Sequence, residues 1–249
     1  MRVATLALSA LAACGYQPLD ETDEIFDDGS PRRVFCAAGL DTVSGNDDDS
    51  VMGGLERAAE RDEVILLYGH TPGRTVPVDR IEAVLARAGE LGLEHVTMRE
   101  LASPRPRRAG LSLQFDDDDI DQWFDIRELL AAHGARVTFF VTRYDQFDRR
   151  GRERLRALAD DGHDVEAHGV DHLVAPDYVE EHGLAAYLDD EAVPSIERLR
   201  ADGYDPVAYA YPFGARTSEI DEALLEHVQV LRSVTFTYDA PIISDPCPE

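Results

Sequence analysis

Two adjacent carboxylates and two histidines four residues apart are the side chains in this sequence best placed to do chemistry. Asp116 and Asp117 follow the apolar run Leu111 to Phe115, and His168 and His172 follow Asp164 to Ala167. Both runs read as buried strands, so both polar groups stand at strand carboxyl ends, where the loops of parallel α/β folds converge. Two histidines at that spacing can meet one ion from a helix face or from a tight loop, and Gly169 favours the loop. Asp117, from a second strand, completes three protein ligands and leaves a position open. That donor set suits one catalytic divalent ion, zinc best, although other divalent ions accept the same ligand types. Two more strand ends carry polar or turn residues: Val64 to Tyr68 runs into Gly69-His70, and Val207 to Tyr211 runs into Pro212-Phe213-Gly214.

The elements that must position these residues alternate. Eight strands are expected, at Val34 to Ala37, Val64 to Tyr68, His95 to Met98, Leu111 to Phe115, Arg136 to Val141, Asp164 to Ala167, Val207 to Tyr211 and Val230 to Phe236. Helical patterns lie between them, near Val51 to Glu60, Val78 to Gly89, Ile120 to His133, Arg152 to Asp160, Leu184 to Arg200 and Ser218 to Glu226. In the second of these, Ile81, Val84, Leu85 and Ala88 recur at three and four, the spacing of one buried stripe. Strands alternating with crossover helices indicate an α/β fold with a parallel sheet, and the 249 residues suit one domain of barrel size. Ser103 to Arg108, with two prolines and three arginines, breaks the alternation as a linker or a loop. Residues 15–33, polar and acidic without an apolar period, read as a flexible tether.

With 24 basic against 50 acidic residues the net charge is -26, which excludes a nucleic-acid partner, because phosphate contacts need a cationic surface. At the start, Arg2 precedes the apolar run Val3 to Leu11, and Leu11-Ala12-Ala13-Cys14 closes it. This has the form of a signal segment, and the tetrapeptide resembles a bacterial lipobox. Residues 1–14 are therefore expected to be a lipoprotein signal, with Cys14 lipidated and the protein anchored at the cell envelope by lipid. In an oxidising compartment the remaining pair, Cys36 and Cys247, is expected to form a disulfide; two free thiols are the alternative.

Phe115-Asp116-Asp117, then Val137-Thr138-Phe139-Phe140-Val141, Gly162-His163, His168 to His172 and Tyr211-Pro212-Phe213-Gly214 together resemble the polysaccharide deacetylases, the family-four carbohydrate esterases of NodB homology. The resemblance covers about Leu111 to Phe236. It implies a distorted (β/α) barrel and hydrolysis of N-acetyl groups on a glycan. By the same resemblance Asp117, His168 and His172 are the metal ligands, Asp116 is the base that activates a water, and the backbone N–H of Phe213 helps to hold the oxyanion.

The family also supplies a histidine acid near the end of its domain, but no histidine follows Phe236 here. The expected fragment stands earlier, in Glu63-Val-Ile-Leu-Leu-Tyr-Gly-His70 followed by a helix and His95 to Leu101, which implies a circular permutation with His70 as the acid. Residues 34–249 then form one permuted domain: 34–102 equivalent to the usual C-terminal part, 103–110 the joining loop, and 111–249 the usual N-terminal part. Under this reading the strands at Val34 and Val230 become neighbours and Cys36 and Cys247 staple the new ends; the competing reading makes 34–102 a separate domain. Ala210 stands where the family carries an arginine that orients the base, with Arg216 and Arg232 as possible substitutes, and Asp118 replaces a customary glycine. These departures motivate two rivals, a glycan-binding lipoprotein without turnover and a metal-dependent amidase for a non-sugar N-acyl substrate. The expected partners are an N-acetylated glycan and, through the lipid, a membrane; the expected state is monomeric.

Overall fold

A computed structural model describes residues 17–103, 107–235 and 244–248. Cys14 and its signal segment lie outside the described residues, as do Pro104 to Pro106 and the end of the strand expected to reach Phe236. In chain order the first elements are β1 (Phe26–Asp27), β2 (Val34–Gly39), α1 (Asp48–Arg61), β3 (Val64–Gly69), α2 (Val78–Leu91), β4 (Glu94–His95), α3 (Met98–Leu101) and β5 (Gly110–Asp117). There follow α4 (Ile120–Asp125), α5 (Arg127–Ala132), β6 (Thr138–Val141), α6 (Arg149–Asp160), β7 (Asp164–Ala167) and α7 (Ala175–His182). The last are α8 (Leu184–Tyr187), a π turn (Leu188–Ala192), α9 (Val193–Ala201), β8 (Ala208–Ala210), α10 (Ser218–Leu224) and β9 (Val230–Val234).

Seven parallel strands close on themselves in the order β3, β2, β9, β8, β7, β6, β5, with β5 returning to β3 from Val64↔Gly110 to Gly69↔Phe115. β2 lies against β9 from Val34↔Leu231 to Ala37↔Val234. Residues 34–102 thus contribute two staves, β2 and β3, of the same barrel. β1 and β4 stand outside the ring, on the first residues of β3 and β5.

Alternation along each strand sorts side chains into two layers. On β5, Leu111, Leu113 and Phe115 face the main core under the helices, while Ser112, Gln114 and Asp116, all buried, take the other face. Inside the barrel a second cluster joins Phe35, Ala37, Val64, Leu66, Phe140, Ala208, Ala210 and Val230 to Met98 and Leu101 of α3. That short helix closes the end where the strands begin: Met98 N–H donates to Thr138 Oγ1 at 3.0 Å, at the first residue of β6.

Four expectations are corrected. The strand expected at His95 to Met98 is only β4, because Thr97 and Glu100 form a reciprocal capping box that starts α3 instead. The helix expected over Ile120 to His133 breaks at Ile126 (φ -92°, ψ 5°). Leu184 to Arg200 is interrupted by the π turn, just before Pro194, which has no N–H to continue an α-helical ladder. Within the acidic stretch expected to be a tether, residues 19–27 pack on the barrel: two single 3-10 turns and β1 bury Leu19, Ile25 and Phe26. Separate turns deliver those residues, which is why no apolar period announces them. No described helix is long and apolar enough to cross a membrane.

Candidate active site

β5 ends by putting its two carboxylates on opposite faces. Asp116 is 2% exposed, inside the mouth of the barrel, and Asp117 turns outward with φ 91°. Only five non-glycine residues with positive φ occur among the described residues, and three of them, Asp117, His172 and Phe213, are among the expected site residues. Such backbone costs on the order of 1–3 kcal/mol per residue and persists where surrounding structure enforces it, commonly at active sites.

His168 follows β7 and is 1% exposed. Its Nδ1 lies 2.9 Å from the Ala210 carbonyl, a contact that requires Nδ1–H to donate and leaves Nε2 deprotonated. Burial is the main force that pushes the His168 pKa down to about 4, so the ring is neutral. Nε2 of His168 lies 3.7 Å, and Nε2 of His172 3.2 Å, from Asp117 Oδ1. Asp117 Oδ1 is buried without a hydrogen-bond partner. Burial opposes ionisation of this carboxyl, but the close approach of His172 Nε2, and the charge that the His168, His70 and His172 rings carry at the low pH where it titrates, outweigh burial and hold its pKa far below the ordinary value. One ionised oxygen and two imidazole nitrogens within 4.8 Å of one another, with the oxygen otherwise unsatisfied, fit a divalent cation.

Arg232 supplies the arginine that Ala210 lacks. In the register of β8 against β9, Arg232 is the direct partner of Ala210, so its guanidinium enters the barrel at the same level from the neighbouring strand. Its Nη2 donates to Asp116 Oδ2, and both side chains are buried. Asp116 Oδ1 remains buried and unpartnered, free to accept a proton. Arg216 is engaged elsewhere, paired with Asp221 and donating to the carbonyls of Asp245 and Pro246.

His70 closes the opposite side. Its Nδ1 lies 2.5 Å from Asp41 Oδ2 and its backbone N–H donates to Asp41 Oδ1 at 3.3 Å, while the Trp123 indole N–H donates to its carbonyl at 3.0 Å. Burial would lower the His70 pKa, but the Asp41 hydrogen bond and the charges of Asp116, Asp41 and Asp117 raise it to about 9. The ring is therefore a proton donor at neutral pH. Asp41 was missed by the sequence reading, which ended the first strand at Ala37; β2 runs to Gly39, so Asp41 is one more strand-end carboxylate. Trp123, the sole tryptophan, is fully buried and packs in the core under α4.

Pro212-Phe213-Gly214 makes one 3-10 turn closed by Gly214 N–H to Tyr211 O and Ala215 N–H to Pro212 O. The Phe213 N–H takes no part in those two bonds. Phe213 is 47% exposed, and its ring leans on His172 with centroids 4.6 Å apart. Glycine is required next: φ at Gly214 is 68°, and a Cβ there would meet Val234 Cγ2 at 2.4 Å. All six expected residues, Asp116, Asp117, His168, His172, His70 and Phe213, line one cavity of about 310 Å³ together with Asp41, Tyr68 and Arg232. Away from it, Cys36 and Cys247 are joined with their Cα atoms 6.1 Å apart, which ties residues 244–248 to β2.

A family model described as polysaccharide deacetylase matches residues 104–230, more than half of the chain. No curated protein sequence matches. Among solved structures, IcaB from Ammonifex degensii is similar at 20% identity and TM-score 0.55, over 73% of this chain and 89% of that one. A de-N-acetylase from Aggregatibacter actinomycetemcomitans is similar at 14% identity and TM-score 0.53, over 68% and 88%. The Streptococcus pyogenes deacetylase PplD, solved with acetate, is similar at 14% identity and TM-score 0.50, over 69% and 83%. These likenesses share the barrel fold; with the family model spanning the strands that carry Asp116, Asp117, His168 and His172, the chain belongs to the polysaccharide deacetylase family.

Proposed function

We propose that this protein hydrolyses N-acetyl groups of a polysaccharide with one divalent ion, zinc by preference, held by Asp117, His168 and His172. The observation that carries this reading is the placement of an acceptor and a donor around one ligand set. Asp116 Oδ1 is unpartnered, His70 is a protonated ring, and both line the cavity that contains the three ligands.

When bound, the ion would polarise the acetamide carbonyl and ease deprotonation of a water. Asp116 receives that proton at Oδ1, while Arg232 fixes its other oxygen and so its direction. His70 protonates the departing amine nitrogen through Nε2, since Nδ1 is occupied by Asp41. The Phe213 N–H donates to the carbonyl oxygen as negative charge develops there. His172 and the Phe213 ring form one wall of the cavity.

The permuted chain order is part of the proposal. β2 and β3, which bring Asp41 and His70, sit between β9 and β5, so the same ring would result if the chain started at β5. We also assign the lipid anchor on Cys14, the envelope location, the monomeric state and an N-acetylated envelope or extracellular glycan as substrate on the sequence features alone. The reading as a binder without turnover was motivated by Ala210 and Asp118. Arg232 answers the first, and Asp118 forms a rim ion pair with Arg143 at 3.5 Å. Acetate release from N-acetylglucosamine oligomers and from N-acetylated amino acids, with and without divalent ions, tests the proposal; release only from the amino acids would favour the amidase.

A further inference from the structure

The loop that carries His172 has no regular structure of its own, yet it must hold a ligand with φ 64°. Its backbone is gripped from below by one buried side chain. Glu191, 0% exposed, accepts the Asp171 N–H on Oε2 at 2.8 Å and the Leu173 N–H on Oε1 at 3.0 Å, so its two oxygens straddle His172. The fit is close: a Cβ on Gly169 would lie 2.2 Å from Glu191 Oε1, which explains why glycine follows His168. Glu191 itself sits in the π turn Leu188–Ala192. Single π turns inside α-helices are rare and concentrate at functional sites, because the extra residue re-aims one side chain out of the helical register.

We propose that Glu191 is a positioning residue for the metal site, acting through the backbone of His172. This rests on the reading that Asp117, His168 and His172 hold a divalent ion. A carboxylate can accept from both N–H groups at once, and in doing so fixes the peptide planes on either side of His172 and the direction of its Nε2 toward Asp117. An amide has one accepting oxygen; its NH₂ would face the second N–H donor. A purely structural cap would raise the stability of the metal-free fold and leave metal affinity alone, whereas a positioning residue changes affinity and ligand geometry.

The experiment titrates metal-free wild type, Glu191→Gln, Glu191→Asp and His172→Ala with zinc against a chelating dye. Cobalt-loaded samples are compared by visible absorption at saturation. Outer partners of metal ligands typically contribute about 10- to 100-fold in affinity. The Gln variant is expected to bind zinc about 10- to 100-fold more weakly, with altered cobalt bands. The Asp variant, too short to span both N–H groups, is expected to fall between it and wild type. Wild-type affinity and an unchanged cobalt spectrum in Glu191→Gln overturn the inference; if that variant does not fold, Glu191→Asp decides by the same criterion. If wild type fails to bind zinc more tightly than His172→Ala, the metal-site reading itself falls, and this inference with it.

Discussion

Arg232 reaches Asp116 from the strand beside the one that carries Ala210, at the register position directly opposite it. An ion pair buried this fully is expensive to break by halves, because the remaining charge loses its partner in a medium of low polarity. Arg232→Ala is expected to cost about 3–5 kcal/mol of stability and most of the turnover. The double variant Asp116→Asn with Arg232→Met should recover most of that stability with no turnover. Denaturant unfolding of the single and double variants checks the pair.

Asp116 and His70 are expected to separate from the three ligands in a metal assay. Asp116→Asn and His70→Ala should each lower turnover by about 10²- to 10⁴-fold, the usual range for a general base or acid, with metal content kept. His168→Ala should lose the ion along with the activity. Elemental analysis beside acetate release checks this; unchanged turnover in His70→Ala would remove it as the acid.

His70 gives the site its alkaline limit. Its pKa of about 9 lies above the ordinary 6.5, so the folded ring holds its proton more tightly than the unfolded chain does. Its contribution to stability is therefore complete below about pH 6.5 and disappears as pH rises through about 9. Metal-free protein should lose stability across that window, and Asp41→Asn should flatten the loss. The same substitution should move the alkaline limb of the kcat/KM profile to lower pH. A profile that superimposes on wild type would contradict the assignment of Asp41.

The Cys36–Cys247 bond closes a sequence separation of 211 residues. On the chain-entropy model a loop that long restricts the unfolded state by about 5 kcal/mol, and measured losses on removal are about 2–5 kcal/mol. Cys247→Ser should lower the unfolding midpoint accordingly. Native protein should resist alkylation at both cysteines until it is reduced, and rapid labelling of both before reduction would contradict the bond.

Much of the site was legible because four apolar runs each end in chemically distinct residues, and a strand end fixes where a side chain emerges. Asp116, Asp117, His168, His172, His70 and Phe213 all meet at one cavity for that reason. What was not legible depends on tertiary register. That Arg232, and not Arg216, replaces the residue at Ala210 follows from how β8 aligns with β9, which no local pattern encodes. Asp41 is not legible as a strand-end residue because the β-branched and aromatic signal of β2 fades at Ala37, two residues before the strand ends at Gly39. Leu19, Ile25 and Phe26 give no signal in the sequence, because 3-10 turns bury residues without a repeating period. The capping pair Thr97 and Glu100 is readable as a helix start, and Val96 and Met98, alternating around Thr97 as in a strand, obscure it.

The most direct test of the account is a re-titration. Protein stripped by a chelator and dialysed is given increasing zinc while acetate release from an N-acetylglucosamine oligomer is followed. The account predicts no release without metal, and activity that rises linearly to a plateau at one ion per chain. Undiminished release from the stripped protein, or none at any zinc, cobalt or manganese concentration while the ion is bound, would contradict it.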